Sequence, residues 1–304
     1  MPAFAPGLVH TPVTPFSPDR SIDFDRLGRL IDFHIGNGAD ALALPTHAGE
    51  SVSLTDAEKR ALIEFAVKHI AGRKPLIAHV SEAGTANAAA LAAHAERAGA
   101  TAVMATTPYY WTPPPEMILA HFAAIAGAVG VPFLVHNAPE DMAGIRVSAE
   151  LMLKLIARAP NFAGLIDASL DWQFMIDLIM EARHARPGFL LIAGNELMVS
   201  PAAIGASSAL APLAAIAPRL VRRLFDLCRA DKLFEARPAQ EELAKLYQLT
   251  KAGGIASLKA ALAAHGRDCG ILRPPLQALD ANAAAELSRG LGAMASLRDE
   301  PRGW

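Results

Sequence analysis

The sequence predicts an α/β protein, a (β/α)8 TIM barrel with a C-terminal helical extension. Eight short apolar runs of β-branched and leucine character alternate with segments of helical spacing, which is the pattern of βα units around a parallel sheet. Eight such units favour a closed barrel over an open doubly wound sheet. No G-x-G-x-x-G motif follows any of the runs, which argues against a dinucleotide-binding fold.

The alternation runs from the start of the chain to about residue 218. The predicted strands are 7–13, 39–44, 75–80, 101–105, 131–135, 162–166, 189–193 and 209–213. The predicted helices between them are 23–36, 55–70, 85–98, 116–128, 148–159 and 171–185. Thr55 is expected to cap the second helix, and Glu58 to complete a capping box with it.

The strand pattern stops after about residue 218, and only helical spacing follows. Four helices are predicted there, at 220–230, 233–250, 255–265 and 281–297. The first of them completes the eighth βα unit. We therefore assign residues 1–230 to the barrel and residues 231–304 to the helical extension.

The composition of the chain indicates which binding partners and which cellular compartment to expect. A formal net charge of −2 gives no basic excess, so nucleic acid is not an expected partner. Cys228 and Cys269 are too few for a disulfide framework and fit a reducing compartment. The start of the chain lacks the pattern of a signal peptide, and prolines and a glycine interrupt the charge-free stretch 197–218, unlike a membrane span. We expect a cytoplasmic protein with no membrane partner.

Ionisable side chains follow several predicted strands, where the active sites of such barrels lie. His47, His79 and His136 end the second, third and fifth strands, Asp167 follows the sixth, and Glu196 follows the seventh. An imidazole, with an ordinary pKa of about 6.5, suits acid–base work at neutral pH. One interpretation is that His47 and His136 form an acid–base pair, with Asp167 orienting or charging one of the two. The alternative is that the histidines fill space and satisfy hydrogen bonds.

A metal site built from two of these histidines and a carboxylate is a further alternative. No short-spaced H-x-x-x-H motif supports it. The preferred interpretation needs neither a metal nor an organic cofactor.

Four segments at the strand ends resemble those of one enzyme family. The dihydrodipicolinate synthase / N-acetylneuraminate lyase family of class I aldolases carries G-T-T-G-E-S, T-P-Y-Y, Y-N-x-P and G-[IL]-K-E-A-S in this order. The corresponding segments of this chain are Thr46–Ser51, Thr107–Tyr110, His136–Pro139 and Gly164–Ser169. The resemblance covers roughly residues 7 to 220 and implies the barrel fold.

The resemblance also implies roles for individual positions. The lysine that forms a Schiff base with pyruvate in the family falls at Ile166, which has no amine. The proton-relaying threonine and tyrosine fall at His47 and His136, and the carboxylate-binding arginine falls within the acidic segment 140–144. Substrate contacts are expected from Ala48, Gly49, Glu50, Asn137, Ile166, Gly194, Glu196 and His79, although Glu50 is also read as an anchor for its loop.

The resemblance further implies a dimer of dimers. Tyr110 takes the place of a tyrosine that reaches the neighbouring subunit's site and is therefore a candidate catalytic residue. Tyr109, Tyr110 and Trp111 would form an exposed aromatic patch on a monomer, so we predict that subunits associate there.

Two functions from different classes remain open on the sequence. The first is lyase or hydratase chemistry on a small organic acid, an oxo- or hydroxy-acid, without a lysine Schiff base. The second is a non-catalytic family member that binds a small ligand or a homologous subunit. The least favoured hypothesis is that a lysine at another position forms the imine, because none of the lysines lies at the C-terminal end of a predicted strand.

Overall fold

The computed structural model describes residues 4–140 and 145–304. Within these residues, eight parallel strands close into a barrel in chain order, with β1 paired to both β2 and β8. The strands are β1 (Leu8–His10), β2 (Ala41–Leu44), β3 (Leu76–His79), β4 (Ala102–Ala105), β5 (Phe133–Asn137), β6 (Phe162–Asp167), β7 (Leu190–Ala193) and β8 (Ser208–Ala211). The predicted TIM barrel is confirmed.

The helices of the barrel surround the strands, and three more helices follow. They are α1 (Phe24–Gly36), α2 (Asp56–Ile70), α3 (Thr85–Ala98), α4 (Pro115–Gly127), α5 (Ala149–Arg158), α6 (Trp172–Ala185), α7 (Val199–Ala203), α8 (Pro218–Arg229), α9 (Leu233–Lys251), α10 (Ile255–Ala264) and α11 (Ala281–Ala293). The sequence placed no separate helix at α7, which is a single short turn without a capping signal. The last predicted helix ends earlier than expected, at Ala293, and a 3-10 turn over Ala295–Leu297 follows.

Local signals account for several of these boundaries. The hydroxyl of Thr55 accepts the backbone N–H of Glu58, and the Glu58 carboxylate accepts the N–H of Thr55, so the predicted capping box is present. Helix α3 ends before Gly99, whose φ of 108° suits a residue without a Cβ. Most strands are shorter than the apolar runs that predicted them, because apolar residues beyond the last paired position still pack in the core. Strands β5 and β6 instead continue past their predicted ends, to Asn137 and Asp167.

Alternation along the strands divides their side chains between two layers. One set points into the barrel and packs as an apolar layer that includes Val9, Ile77, Leu134, Ile166 and Ile192. The intervening residues point outward and pack under the helices. A side chain just above the inward layer therefore faces the mouth, and a side chain of the opposite parity does not.

The C-terminal helices pack on the barrel beside β8. Leu243 and Leu246 of α9 and Leu258 of α10 share one buried core with residues of β8 and of the turn after it. This packing brings the end of α9 and the start of α10 over the mouth of the barrel. The division at residue 230 stays a prediction.

No helix within residues 4–140 and 145–304 is both long enough and apolar enough to span a bilayer. The cytoplasmic location stays a prediction.

Candidate active site

A cavity of about 370 Å³ opens at the C-terminal ends of the strands. Its lower wall comes from residues at or just after the ends of β1, β2, β5, β6, β7 and β8, and its roof comes from α9 and α10. The size suits a small-molecule ligand. Of the predicted site residues, five line this cavity: His47, Ala48, His136, Gly194 and Glu196. The expected convergence of the β2 and β5 ends on one mouth is therefore present.

His136 and His79 sit side by side above the inward layer, and burial decides their charge. Their ring centroids are 6.2 Å apart in a T-shaped arrangement. Burial lowers the pKa of His136 to about 4, with a further contribution from the charge of His47. Burial lowers the pKa of His79 well below its ordinary value, and Nε2 of His79 lies 3.0 Å from the hydroxyl of Ser81. Both imidazoles are thus neutral at pH 7, because burial disfavours their charged forms.

Asp167 does not orient His136, contrary to the predicted contact. Its carboxylate accepts the amide of Asn137 at 2.5 Å and the hydroxyl of Ser169 at 2.9 Å. His136 pairs in register with Ile166, and Asn137 pairs with Asp167, so the first two point into the barrel and the second two point outward. Burial raises the pKa of Asp167 to about 6, against the opposing effect of these hydrogen bonds. Asn137 therefore contacts the Asp167 carboxylate, and the two hold the β5 and β6 ends together.

Glu196 is the buried carboxyl group among the residues that line the cavity. It is buried, and burial raises its pKa to about 7 despite the hydrogen bond that it accepts from the N–H of Leu213. The Gln240 amide of α9 donates to the Glu196 carbonyl at 2.8 Å, which fixes the loop after β7. A carboxyl that holds its proton near neutral pH inside a cavity is a candidate general acid.

Glu50 and Gly49 support the loop after β2 rather than a ligand. One carboxylate oxygen of Glu50 lies 2.6 Å from the ammonium of Lys259, and the other accepts the N–H of Arg273 at 2.9 Å. The hydroxyl of Thr14 donates to the Gly49 carbonyl at 2.6 Å. These contacts support the alternative interpretation of Glu50 as an anchor of its loop. The predicted ligand contacts of Glu50 and Gly49 stay predictions, and neither residue lines the cavity.

Ile166 lies in the inward apolar layer with 1% of its side chain exposed. Its register neighbours are His136 on β5 and Ile192 on β7. Packing places it in this layer, and it does not line the cavity. The predicted contact between Ile166 and a ligand stays a prediction. In the acidic segment 140–144, Glu140 lines the cavity, and Asp141 to Gly144 lie outside the described residues.

Lys251 is a cavity residue that the sequence did not reveal. It ends α9 and lines the mouth together with Tyr247 and Thr250 of the same helix. Its ammonium lies 3.8 Å from a carboxylate oxygen of Glu140. No sequence signal marks it, because which face of a C-terminal helix covers the mouth depends on how that helix packs.

Tyr110 lies away from the cavity of its own chain. Its side chain is 94% exposed, and its φ of 90° is unusual for a tyrosine. Trp111 and Met117 are about half exposed nearby in the chain. A Tyr110 contribution to catalysis through a neighbouring subunit stays a prediction.

No group of three histidine, cysteine, aspartate or glutamate side chains within the described residues is arranged to hold a metal ion. The metal alternative therefore gains no support from these side chains.

The fold and the position of the cavity define a barrel of the kind that enzymes use for small-molecule chemistry. The chain belongs to the Dihydrodipicolinate synthetase family, which matches residues 5–294. A relative named 4-hydroxy-tetrahydrodipicolinate synthase, from Neisseria meningitidis, is 33% identical over 290 residues, which is 94% of this chain and 97% of the relative.

Solved structures share the fold of this chain. A putative dihydrodipicolinate synthetase from Pseudomonas aeruginosa superposes with a TM-score of 0.89 at 29% identity, over 96% of this chain and 99% of that chain. A structure described as the first monomeric dihydrodipicolinate synthase variant shares the fold, with a TM-score of 0.89 at 24% identity over 95% of this chain and 96% of that chain.

Proposed function

We propose that the protein is a lyase of the aldolase type, or a hydratase, that acts on a small oxo- or hydroxy-acid without a lysine Schiff base. The observation that carries this proposal is a pair of groups on one cavity wall whose pKa values have moved in opposite directions. His136 has a pKa of about 4 and Glu196 a pKa of about 7. Between these values the imidazole is neutral and the carboxyl is protonated, so a base and an acid are ready at the same time.

In the lyase form, the substrate is a 2-oxo acid with a hydroxyl on its fourth carbon. His136 takes the proton of that hydroxyl, the bond between the third and fourth carbons breaks, and a carbonyl forms at the fourth. The electron pair of that bond moves toward the oxo group, which Glu196 protonates to give an enol. Transfer of the proton from His136 back to Glu196 through solvent resets the pair. Loss of water from a hydroxy-acid would use the same pair, with His136 taking a carbon-bound proton and Glu196 protonating the departing hydroxyl.

We infer that Ile166 stands where the family resemblance puts the Schiff-base lysine. Isoleucine has no amine, and its surroundings are the apolar inward layer of the barrel. The electron sink of the reaction is therefore the protonated oxo group itself. His47, on the same cavity wall, is the further candidate for moving protons to and from solvent.

The test is a screen of small 2-oxo and hydroxy acids for turnover by NMR, followed by His136→Asn and Glu196→Gln. Each variant is expected to lose on the order of a hundredfold in turnover, the usual contribution of one acid–base group. His184→Asn, on the exposed face of α6, is the matched control and should keep full activity. Turnover that survives both site variants would refute the assignment of this pair.

The second candidate is a family member that binds a small ligand or a homologous subunit without catalysis. The observation that favours it is Asp167, whose carboxylate is held by Asn137 and Ser169 instead of activating an imidazole. Acids that bind in the cavity without turnover and without exchange of their carbon-bound protons would support this candidate over the lyase.

Self-association is the partner proposal that accompanies either function. The exposed Tyr110 and Trp111 support it, since large aromatic side chains on a free surface mark contact sites.

A further inference from the structure

Three buried polar atoms in the cavity wall lack hydrogen-bond partners among the described residues. They are the hydroxyls of Thr11 and Thr46 and Nδ1 of His136. The three residues are 0%, 3% and 5% exposed, follow or end three different strands, and line the same cavity. Because an unsatisfied buried polar group is costly, this cluster points to a ligand that supplies the missing hydrogen bonds. We refer to these three residues as the polar floor.

The polar floor is uncharged and disfavours an anion. Both threonines are neutral, and burial keeps His136 neutral. Burial also raises the pKa of Glu196 on the same wall, because a buried site disfavours negative charge. A carboxylate placed on the floor would lose its hydration without gaining a cation. Hydroxyl and carbonyl oxygens fit the floor instead, since they give and accept hydrogen bonds without charge.

The positive charge of the cavity is at its rim. Lys251 is the only lysine or arginine among the described residues that line the cavity, and residues 141–144 contain neither type. Its contact with Glu140 is long, at 3.8 Å, and the two side chains are 53% and 68% exposed. Such an exposed pair is weak, so the ammonium is available to exchange Glu140 for the carboxylate of a ligand.

We propose that the cavity binds a small hydroxy- or oxo-acid in one orientation, with an uncharged oxygen on the polar floor and its carboxylate at Lys251. The inference rests on the proposed function and names the orientation of its substrate. In this orientation the hydroxyl that His136 deprotonates lies on the floor. The specificity-determining residues are then Thr11 and Thr46 for the uncharged end and Lys251 for the anionic end.

Three probes separate the two ends of the ligand. Glycerate carries hydroxyls and a carboxylate, glycerol carries only hydroxyls, and propionate carries only the carboxylate. Titration calorimetry or ligand-observed NMR on the full chain measures the affinity of each. Glycerate is expected to bind at least about tenfold more tightly than either of the others, because only it contacts both ends of the cavity.

Single variants test which residues bind the carboxylate and which bind the hydroxyl groups of the ligand. Lys251→Met should weaken glycerate and propionate by on the order of tenfold, with a smaller effect at high salt, and leave glycerol unchanged. Thr46→Val and Thr11→Val should weaken glycerate and glycerol by about three- to tenfold, the value of one hydrogen bond, and leave propionate unchanged. Lys245→Met and Thr106→Val are the controls, since Lys245 pairs with Glu242 and the Thr106 hydroxyl already donates to the Thr107 carbonyl.

The proposal fails if none of the probes binds, if glycerate binds no more tightly than propionate, or if Lys251→Met weakens glycerol as much as glycerate. Turnover is measured separately, which keeps the two hypotheses apart. Acids that bind with the expected pattern but are not converted would leave the orientation intact and refute the lyase. Conversion at an unchanged rate in the two threonine variants would refute the orientation and leave the lyase proposal intact.

Discussion

The ammonium of Lys259 lies 2.6 Å from the carboxylate of Glu50, and the two side chains are 5% and 0% exposed. Glu50 follows the 3-10 turn that carries His47, and Lys259 belongs to α10 in the C-terminal extension. The backbone N–H of Arg273 donates to the second oxygen of Glu50 at 2.9 Å. This buried pair thus fixes the extension to the loop that forms one wall of the cavity.

Removal of the Lys259 ammonium should destabilise the protein strongly. Lys259→Met leaves the Glu50 carboxylate buried without its cation, which costs roughly 3–5 kcal/mol in unfolding free energy. Urea denaturation measures the loss. Lys245→Met is the matched control, because Lys245 makes an ion pair of the same 2.6 Å length with Glu242 while 64% exposed. It should change the unfolding free energy by less than about 1 kcal/mol. Equal losses in the two variants would show that burial of the pair is unimportant.

Pyruvate should form no imine with the protein. We infer that Ile166, in the inward layer, stands where the family resemblance puts the Schiff-base lysine, and Lys251 lies at the rim of the cavity. Borohydride reduction in the presence of pyruvate is therefore expected to leave the intact mass unchanged. A reproducible adduct mapped to Lys251 by peptide mass spectrometry, and absent from Lys251→Met, would overturn this expectation.

Glu196 should make stability depend on pH between about 5 and 8. Its folded-state pKa of about 7 lies above the ordinary 4.5, so its neutral form favours folding. Glu196 makes its full contribution to the unfolding free energy below pH 4.5. That contribution, on the order of 3 kcal/mol, is lost as the pH rises through 7. The buried neutral histidines act in the opposite sense, but they are shared by wild type and Glu196→Gln and cancel in the difference.

Urea denaturation across that pH range measures the effect. Wild type should lose stability relative to Glu196→Gln as pH rises from 5 to 8. Glu235→Gln, an exposed change on α9, is the control and should track wild type. Parallel curves for wild type and Glu196→Gln would show that Glu196 ionises normally.

His136 should respond to His47 and not to Asp167. The charge of His47 contributes to the lowered pKa of His136, whereas Asp167 faces outward and bonds Asn137 and Ser169. In an NMR titration of the histidines, His47→Asn should raise the pKa of His136 and Asp167→Asn should leave it unchanged. A shift in the pKa of His136 in Asp167→Asn would instead show that the carboxylate acts on this imidazole.

The aromatic loop after β4 should hold subunits together. Tyr110 is 94% exposed and Trp111 50% exposed, and burial of such side chains favours association. Light scattering after size exclusion should show an oligomer for wild type and smaller species for the Tyr110→Asp, Trp111→Asp double variant. Phe234→Asp, at a 78% exposed position on α9, is the control that should keep the wild-type mass. A wild-type monomer at micromolar concentration would contradict the prediction.

The sequence by itself determined the barrel, because apolar periodicity, capping residues and glycines act over a few residues. Thr55 with Glu58 and the Gly99 C-cap lie where the sequence indicates. The strand-end positions of His47, His136 and Glu196 also follow from the sequence, since parallel strands bring their C-terminal ends to one face. The alternation of side chains along β5 and β6 is also enough to predict that His136 and Asp167 point to opposite faces of the sheet. Only residues of one parity face the mouth of the barrel.

The tertiary structure decided the charges and the roof of the site. Burial in the folded barrel moves the pKa of His136 down and that of Glu196 up, and burial depends on contacts between residues far apart in the chain. The ion pair between Glu50 and Lys259 and the position of Lys251 at the mouth both depend on how the C-terminal helices pack. No local pattern encodes these relationships, because each depends on distances between segments that only the packed chain brings together.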